Sequence, residues 1–454
     1  MKSKRMTPVQ FIPISFLLAI AVGFGLLMIP FATAAGESTD PLTALFTATT
    51  SVCVTGLVVV DTFAHWSVFG QGIILVLIQI GGLGVVAVGS MILLIGKKKF
   101  SLGDRILLGN SLNVDRNRGL LGFLVSIFKG VFIAEGIGAL LFMIEFIPQF
   151  GIGKGIWISV FQSVSAFCNA GMDIIGPNSL IDYNSSPLVM FVTMGLIIMG
   201  GLGFVVWFDL YDGIRRGFKQ KYSPRQTFSH LSEHSKVVLA MTLILIFSGT
   251  AFVFVSEYSN PDTLGNLSLP EKLLNSLFQS VTFRTAGFAS VPQDKLRETT
   301  CILGNIFMFI GGSPVGTAGG IKTVTAFLFF MNAYSYITGR KENVAFHRRI
   351  SSELMGKAAA IVFVSIFTTF VMLVLLVSRG GIVLTDALYE VVSALGTVGL
   401  SRNLTPRLDT VGRFIIIVSM YLGRIGPISM ALFFSKGKGA SNNITHSEGK
   451  FYVG

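Results

Sequence analysis

Charged side chains are scarce in this chain of 454 residues, since Asp, Glu, Lys and Arg together make up only 13%. A soluble domain carries about 25% charged residues, so the composition excludes an ordinary soluble globular protein. Hydrophobic residues reach 52% instead, and apolar runs of the roughly 17 to 25 residues that cross a bilayer recur along the chain. No small-residue cleavage site follows the first run, residues 11–30, so we expect it to remain as a helix.

Cysteine and histidine are rare as well, with three and five residues respectively. Neither type shows the spacing of a metal site, and scattered histidines argue against a membrane enzyme, which would need His, Asp or Glu clustered near one face. Cys53 and Cys168 could form a disulfide, but the expected role of each is that of a small buried residue.

Acidic residues are fewer than basic ones, and the formal net charge is +12. Basic clusters fall between the apolar spans, at residues 2–5, 97–118, 215–225 and 340–349, and they alternate with loops that bear acidic residues. The positive-inside rule therefore places every basic cluster and both termini in the cytoplasm. Basic segments beside a membrane favour contact with anionic lipid over nucleic acid, and we expect no nucleic-acid partner.

Four short polar loops, each ending in a glycine, interrupt the apolar sequence. Their glycines lie 115, 116 and 112 residues apart (171 − 56, 287 − 171, 399 − 287). A period of this length, repeated four times, predicts pseudo-fourfold symmetry within one chain. A fourfold backbone ring inside a membrane is how a cation pathway is built. The loops are Val54-Thr55-Gly56-Leu57, Asn169-Ala170-Gly171-Met172, Thr285-Ala286-Gly287-Phe288 and Thr397-Val398-Gly399-Leu400.

Each repeat holds two apolar spans with a short apolar piece between them. These are predicted at 11–30, 41–52 and 70–95; 122–147, 155–167 and 187–211; 237–256, 270–282 and 301–334; and 356–378, 383–395 and 411–434. Two spans per repeat return the chain to the same side, so the repeats are parallel rather than inverted. The predicted fold is an all-α membrane protein with eight transmembrane helices and four pore half-helices around a central pore. The chain divides into an N-terminus (1–10), repeats at 11–95, 119–212, 236–338 and 354–435, and a tail (436–454).

The middle pieces are too short to cross a membrane. Residues 41–52 make about 18 Å of helix against a hydrocarbon core about 30 Å thick. Asp40-Pro41 supplies an N-cap and a first-turn proline, and Pro270-Glu271 and Thr385-Asp386 are expected to act similarly. A half-helix that ends in mid-membrane directs the negative end of its dipole at the glycine loop, which favours a cation. One such piece alone would indicate an interfacial helix, whereas four in register make that improbable.

Glycine suits an ion pathway because consecutive carbonyls face the axis only with backbone angles that glycine adopts without strain. Irregular backbone at membrane depth is tolerated only where it is buried or lines a wet cavity. The residue after each glycine is large and apolar, as expected of a packing anchor. The residues predicted to coordinate the ion through their carbonyls are Cys53, Val54, Thr55, Gly56, Cys168, Asn169, Ala170, Gly171, Arg284, Thr285, Ala286, Gly287, Gly396, Thr397, Val398 and Gly399.

A second glycine-rich motif lies in the second span of every repeat, at 81–84, 200–203, 311–314 and 423–426. In the first two repeats, close helix packing explains the glycines at least as well as any function. In the third, five glycines and Pro314 within 311–320 cannot remain helical, so this segment is expected to line the pathway as irregular backbone. It is not a nucleotide-binding loop, because Ile321 separates Gly320 from Lys322.

These motifs resemble the membrane subunit of the bacterial Ktr potassium-uptake system, in the superfamily that includes Trk and the plant HKT transporters. The resemblance covers nearly the whole chain. The chain starts with the first repeat, as in Ktr rather than Trk, and Gly56 matches the potassium-selective pattern. The resemblance implies potassium uptake across a bacterial cell membrane, with K+ at Gly56, Gly171, Gly287 and Gly399.

The resemblance also implies a gate and partners. It identifies 311–322 as an intramembrane gating loop, so the predicted gate residues are Gly311, Gly312, Ser313, Pro314, Gly316, Gly319, Gly320, Lys322 and Arg424. It implies a homodimer docked on a cytoplasmic regulatory ring, with ATP, ADP and cyclic di-AMP bound to that ring rather than to this chain. Na+ activation belongs to the family as well, but no Na+ site is visible in the sequence.

Two arginines are unexpected in a cation pathway. Arg424 stands where the other repeats have glycine, and an arginine in mid-span is costly and marks function by default. We expect it to form a constriction with the 311–320 loop, and the alternative is a structural pin bonded to loop carbonyls. Arg284 is expected to point behind its glycine loop, towards a carboxylate such as Glu271 or Glu390.

Three rival functions remain. A Na+-coupled K+ symporter with alternating access would need inverted repeats or buried carboxylates. A membrane enzyme would need clustered catalytic side chains, and the sequence predicts none. A structural scaffold would give no reason for four interrupting loops.

Overall fold

The computed structural model describes residues 8–95, 120–340 and 342–426. The predicted basic clusters at 2–5 and 97–118, Lys341, and the predicted tail at 436–454 lie outside these residues, as does the end of the fourth repeat from 427.

Helices account for most of the described chain. We number them α1 to α17, and they are Pro8–Leu27, Pro41–Cys53, Thr62–His65, Val68–Leu83, Val85–Ile95, Leu120–Phe150, Ile152–Cys168, Pro187–Leu202, Phe204–Gln220, Pro224–Ser229, Glu233–Glu257, Leu269–Thr282, Glu298–Phe309, Thr323–Ile337, Ser352–Val377, Leu384–Gly396 and Thr410–Ile425. One small hairpin pairs β1, Val344–Ala345, with β2, Arg348–Arg349.

Three helices, α6, α11 and α15, are long and apolar enough to cross a membrane, and α8 with α9 forms a fourth candidate if the bent pair is one span. Large apolar side chains on α11 and α15 are exposed, among them Phe247, Val255, Phe363 and Phe370. Apolar side chains turned outward on long helices indicate contact with lipid. The chain is therefore a mostly helical membrane protein.

The four predicted short pieces are helices, namely α2, α7, α12 and α16, and they carry the most buried part of the core. Asp40 caps α2 as expected, with its carboxylate accepting from the Thr43 N–H at 3.0 Å. Ser268 and Glu271 form a capping box at α12. The expectation for α16 is wrong, because Val383 is its N-cap and no side chain caps it.

The second span is not one continuous helix in the first three repeats. Gly84 separates α4 from α5 and Gly203 separates α8 from α9, with φ values of 89° and 88°. The bend between α8 and α9 is 99°. In the third repeat, α13 and α14 are separated by residues 310–322. The spans predicted at 70–95 and 187–211 are therefore each made of two helices, because the glycine between them has a positive φ that ends the first helix.

Candidate functional site

The C-termini of α2, α7 and α16 share one backbone geometry. The C-cap residues Val54, Asn169 and Thr397 adopt left-handed conformations, with φ of 55°, 59° and 50°. The next N–H reaches back to the helix, as when the Thr55 N–H donates to the Thr50 carbonyl at 2.9 Å. This is the usual way in which a helix ends on a left-handed residue. The glycine that follows also has positive φ in every loop.

The third loop reaches a similar end by another route. Helix α12 stops at Thr282, and its C-cap residue Phe283 stays right-handed. Thr285 then adopts φ of 63°, and the Ala286 N–H donates to the Thr282 carbonyl at 3.1 Å. The repeats are thus alike at the glycine but not in how the helix is terminated.

The four glycines meet in a closed ring. A β-carbon on each would crowd the carbonyl that precedes the glycine of the next loop, and the fourth loop meets the first. The pairs are Gly56 with Ala170, Gly171 with Ala286 at 2.6 Å, Gly287 with Val398 at 2.6 Å, and Gly399 with Thr55. Only glycine leaves room for this approach of backbone to backbone.

Hydroxyl groups in the last turn of each short helix support the loops from behind. Thr50 accepts from the Gly56 N–H at 3.0 Å, and Ser393 accepts from the Gly399 N–H at 3.0 Å. In the other two loops the hydroxyl donates instead, Ser165 to the Met172 carbonyl and Thr282 to the Phe288 carbonyl. These residues were missed in the sequence, although a hydroxyl six residues before the glycine in three repeats is a visible signal.

The predicted packing anchors are confirmed. The side chains after the four glycines are at most 1% exposed, and they are Leu57, Met172, Phe288 and Leu400. Their burial and the hydroxyl bonds together hold the end of each loop at and just after the glycine.

Polar atoms without a protein partner gather at the ring. Within the described residues, they include the hydroxyls of Thr55, Thr285 and Thr397 and the side-chain nitrogen of Asn169. Buried polar groups are nearly always satisfied by protein or water. Their presence in residues of the glycine loops indicates a place for ordered water there.

A cavity of about 650 Å³, the upper cavity, lies on one face of the ring, and all four loop glycines line it. Asp61, Asp173 and Asp294 are the charged side chains of its lining among the described residues. Burial raises the pKa of Asp173 to about 7, and the negative charge of Asp61 adds to the shift, while hydrogen bonds from Ser179 and Ile175 oppose it.

On the opposite face, residues 311–322 form an irregular segment that we call the intramembrane loop. Its ends pair with each other, since the Gly311 N–H donates to the Ile321 carbonyl at 2.9 Å. Its middle docks on the end of α8, where the Ser313 N–H donates to Gly201 at 2.9 Å and the Thr317 N–H to Gly200 at 3.1 Å.

Thr317 joins this loop to the ring. Its hydroxyl lies 3.1 Å from the Phe167 carbonyl oxygen and 3.1 Å from the side-chain oxygen of Asn169. The hydroxyl has one hydrogen, so it bonds to one of these acceptors at a time. Sequence reasoning missed this contact, which joins residues about 150 positions apart.

Arg424 fixes the loop from the other side. Its guanidinium donates to the Thr317 carbonyl at 2.5 Å, to the Gly82 carbonyl at 3.4 Å, and to the Gly81 carbonyl. This is the bonding of the structural pin. The same guanidinium also lines a cavity, so its geometry is compatible with a constriction as well.

That cavity, the lower cavity, has a volume of about 700 Å³ and lies beneath the intramembrane loop. Glycines of the second spans and residues 314–316, 318 and 319 of the loop line it. Its charged or ionisable lining residues, among those described, are His234, Lys322, Lys357 and Arg424. Lys322 donates to the Ala318 carbonyl at 2.7 Å, which holds the end of the loop.

The expected partners of Arg284 are wrong. Its guanidinium, 7% exposed, lies 3.4 Å from the Thr242 hydroxyl on α11, behind the glycine loop. Glu271 is engaged by Ser268 in the capping box, and Glu390 accepts from the Ser401 and Thr405 hydroxyls. Both carboxylates therefore have local partners.

The three cysteines, Cys53, Cys168 and Cys301, are free and buried. Among the residues that the structure describes, no group of three or more His, Cys, Asp or Glu is placed to hold a metal ion.

Comparisons with known proteins identify the family and the fold of the chain. Residues 8–444 match the family described as TrkH, cation transport protein. The chain is 39% identical to the Ktr system potassium uptake protein B of Bacillus subtilis, over 99% of this chain and 97% of that protein. It is 38% identical to the potassium/sodium uptake protein NtpJ of Enterococcus hirae, over 99% and 98% respectively. The crystal structure of the potassium transporter TrkH from Vibrio parahaemolyticus superposes with a TM-score of 0.74, over 96% of this chain and 86% of that one, at 14% identity.

Proposed function

The chain belongs to the TrkH family of cation transport proteins, and we propose that it takes up potassium along the axis of the glycine ring. The observation that carries this proposal is the closed ring of four glycine loops between two cavities. In each loop, two left-handed residues flank one intervening residue, an arrangement that can turn successive carbonyls towards an ion. The named activities of the Bacillus and Enterococcus relatives support potassium as the ion.

The proposed architecture is four parallel repeats of helix, re-entrant half-helix and helix. The half-helices are α2, α7, α12 and α16, whose C-terminal ends lead into the ring. The negative ends of four helix dipoles, about half a charge each, would then lower the energy of a cation there. The repeats follow the divisions at 11–95, 119–212, 236–338 and 354–435.

The lower cavity faces the cytoplasm in this proposal. Basic residues Arg215, Arg216, Lys219, Lys221 and Arg225 follow the α8–α9 bend, and Arg348 and Arg349 precede α15. The positive-inside rule assigns such segments to the cytoplasm, which leaves the upper cavity outside.

The intramembrane loop is the proposed gate. Thr317 joins it to α7 beside the ring, and Arg424 joins it to α17, which supports a loop that can block the proposed passage. Arg424 combines both expected roles, since it pins the loop through carbonyls and places a fixed positive charge beside the passage. Potassium flux through Arg424→Ala tests this, because unchanged uptake and unchanged gating would contradict both roles.

The partners are carried over from the Ktr relatives. We propose a homodimer docked on a cytoplasmic nucleotide-binding ring, with ATP or ADP bound there, and with Na+ as an activator. The name of NtpJ, a potassium/sodium uptake protein, is compatible with a part for sodium.

A Na+-coupled symporter is the second candidate, favoured by one observation. Glu135 is a carboxylate in α6 that is 5% exposed and accepts from Gln79 at 3.1 Å. A buried acid in a membrane helix is a functional candidate by default. Sodium influx in fixed proportion to potassium influx, abolished in Glu135→Gln, would favour the symporter over the channel-like pathway.

The main test is potassium uptake in cells that lack their own uptake systems. Each of Gly56, Gly171, Gly287 and Gly399 is changed singly to serine. We expect weaker apparent affinity for K+ and a lower K+/Na+ preference in every variant, because each side chain would crowd the next carbonyl. Wild-type affinity and preference in all four variants would overturn the assignment of the ring as a selectivity filter.

A further inference from the structure

The two cavities on either side of the ring differ in the sign of their charge. The upper cavity has Asp61, Asp173 and Asp294 in its lining, with no Lys or Arg among the described residues that line it. All three aspartates are partly exposed to solvent. A permeant ion that enters from this side therefore meets only negative side chains before it reaches the four glycines.

The lower cavity has the opposite character. His234, Lys322, Lys357 and Arg424 line it, and the described part of its lining contains no Asp or Glu. Lys357 is exposed on α15, and Arg424 keeps its charge because a guanidinium does not lose its proton in proteins. A cation that enters from this side meets positive charge first.

Clefts lined by one sign of charge concentrate counter-ions and deplete ions of like charge. From the opposed lining of the two cavities, and resting on the proposed potassium pathway, we propose that the chain is an intrinsic inward rectifier. Fixed charge loads K+ from the upper cavity and hinders its entry from the lower one. Under symmetrical potassium and equal but opposite voltages, the current from the upper to the lower cavity exceeds the reverse current.

The size of the effect follows from screened electrostatics. Asp61 and Asp294, taken as two unit charges about 10 Å from the ion in water, raise its local concentration by a factor of about 1.7 at 0.1 M ionic strength and about 2.7 at 0.01 M. The positive charges of the lower cavity lower the local K+ concentration there and so reduce the outward current. Both cavities therefore favour inward over outward current. Rectification should therefore strengthen as ionic strength falls.

The experiment records potassium currents in membrane patches from cells that express the full chain, with its regulatory subunit where one is needed for opening. The test variants are the triple change Asp61→Asn, Asp173→Asn and Asp294→Asn, and the single change Lys357→Gln. Asparagine keeps the size of each aspartate and can still cap α3 in place of Asp61, whose carboxylate accepts from the Phe63 N–H at 2.9 Å.

Matched controls carry the same substitutions outside the cavities. Asp262→Asn removes an exposed acid, and Lys219→Gln removes an exposed base. We expect the inward-to-outward current ratio to fall about threefold at 0.01 M salt in the triple variant and to fall less in Lys357→Gln. Both controls should keep the wild-type ratio.

Added impermeant salt gives a second measurement. It should reduce inward current in the wild type and leave the triple variant nearly unchanged, because the charges to be screened are gone. A symmetrical wild-type current, or a triple variant that rectifies like the wild type, would overturn the inference. Absence of any potassium current in the wild type would instead overturn the proposed function.

Discussion

The contact between Thr317 and α7 offers the sharpest test of the proposed gate. Thr317→Val preserves shape but removes the hydroxyl that lies 3.1 Å from both the Phe167 carbonyl and the Asn169 side-chain oxygen. The backbone bonds remain, namely the Thr317 N–H to Gly200 and the Thr317 carbonyl to Arg424. The loop should therefore stay folded while its attachment to the ring is weakened.

The magnitude follows from the single hydrogen that the hydroxyl carries. One hydrogen bond is lost, which costs about 0.5–1.5 kcal/mol net, and more if the buried acceptor finds no other donor. A loss of about 1–2 kcal/mol from the docked state changes its equilibrium by a factor of about 5 to 30. We expect basal rubidium flux, measured without the regulatory subunit, to rise by a factor in that range.

The controls are supplied by the chain itself. Thr193 in α8 is fully buried, and its hydroxyl has no protein partner, so Thr193→Val should leave basal flux unchanged. Thr317→Ser keeps the hydroxyl and should behave like the wild type. Wild-type flux in Thr317→Val, or an equal rise in Thr193→Val, would refute the reasoning.

Three further predictions concern the ring, its upper cavity and the spans behind it. Gly171→Ala places a β-carbon 2.6 Å from the Ala286 carbonyl oxygen at positive φ, so competition of sodium against rubidium uptake should increase, whereas Gly176→Ala in open space should change nothing. The carboxyl group of Asp173 gains its negative charge as pH rises through its pKa of about 7, and its charged neighbours in the cavity are the carboxylates Asp61 and Asp294. Inward current at low potassium should therefore rise between external pH 6 and 8. The current of Asp173→Asn should not change over the same range. Gly200→Ala overlaps the Phe167 carbonyl and should lower stability by about 1–3 kcal/mol in a thermal melt, and an equal loss in Gly195→Ala, which meets nothing within 4 Å, would contradict this account.

The short helices could be predicted because their boundaries are set by local sequence. Asp40 and Pro41 start α2 where expected, and the helix ends at Cys53, one residue beyond the predicted end of the piece at 52. The left-handed C-caps Val54 and Thr397 were not predicted, since neither a β-branched residue nor the sequence around it favours positive φ. There the closed ring, and not local preference, determines the backbone.

The breaks in the second spans could not be predicted, because they depend on contacts between distant parts of the chain. Gly200 behaves as a packing glycine, as expected, while Gly203, three residues later, ends the helix. Its left-handed conformation accompanies a close approach to the Pro314 carbonyl, a contact made more than 100 residues away in the chain. The sequence shows that a glycine allows such a break, but it does not show the tertiary contact that determines where the helix ends.

The misplaced partner of Arg284 has a simpler cause. Charge complementarity suggested Glu271, yet Ser268 lies three residues before it and forms the capping box visible in the sequence. A local bond of this kind forms with little loss of chain entropy, so it takes the carboxylate before a distant arginine can.

The ring closes between the fourth loop and the first loop of the same chain. Each of the four loops, one quarter of the ring, is therefore encoded by its own stretch of sequence. A mutation in a pore assembled from four identical subunits appears at four places around the axis, whereas here it appears at one. Evolution can therefore alter one quarter while three keep their chemistry. The amide of Asn169 and the divergent end of α12 are differences that a pore made from identical copies could not hold side by side.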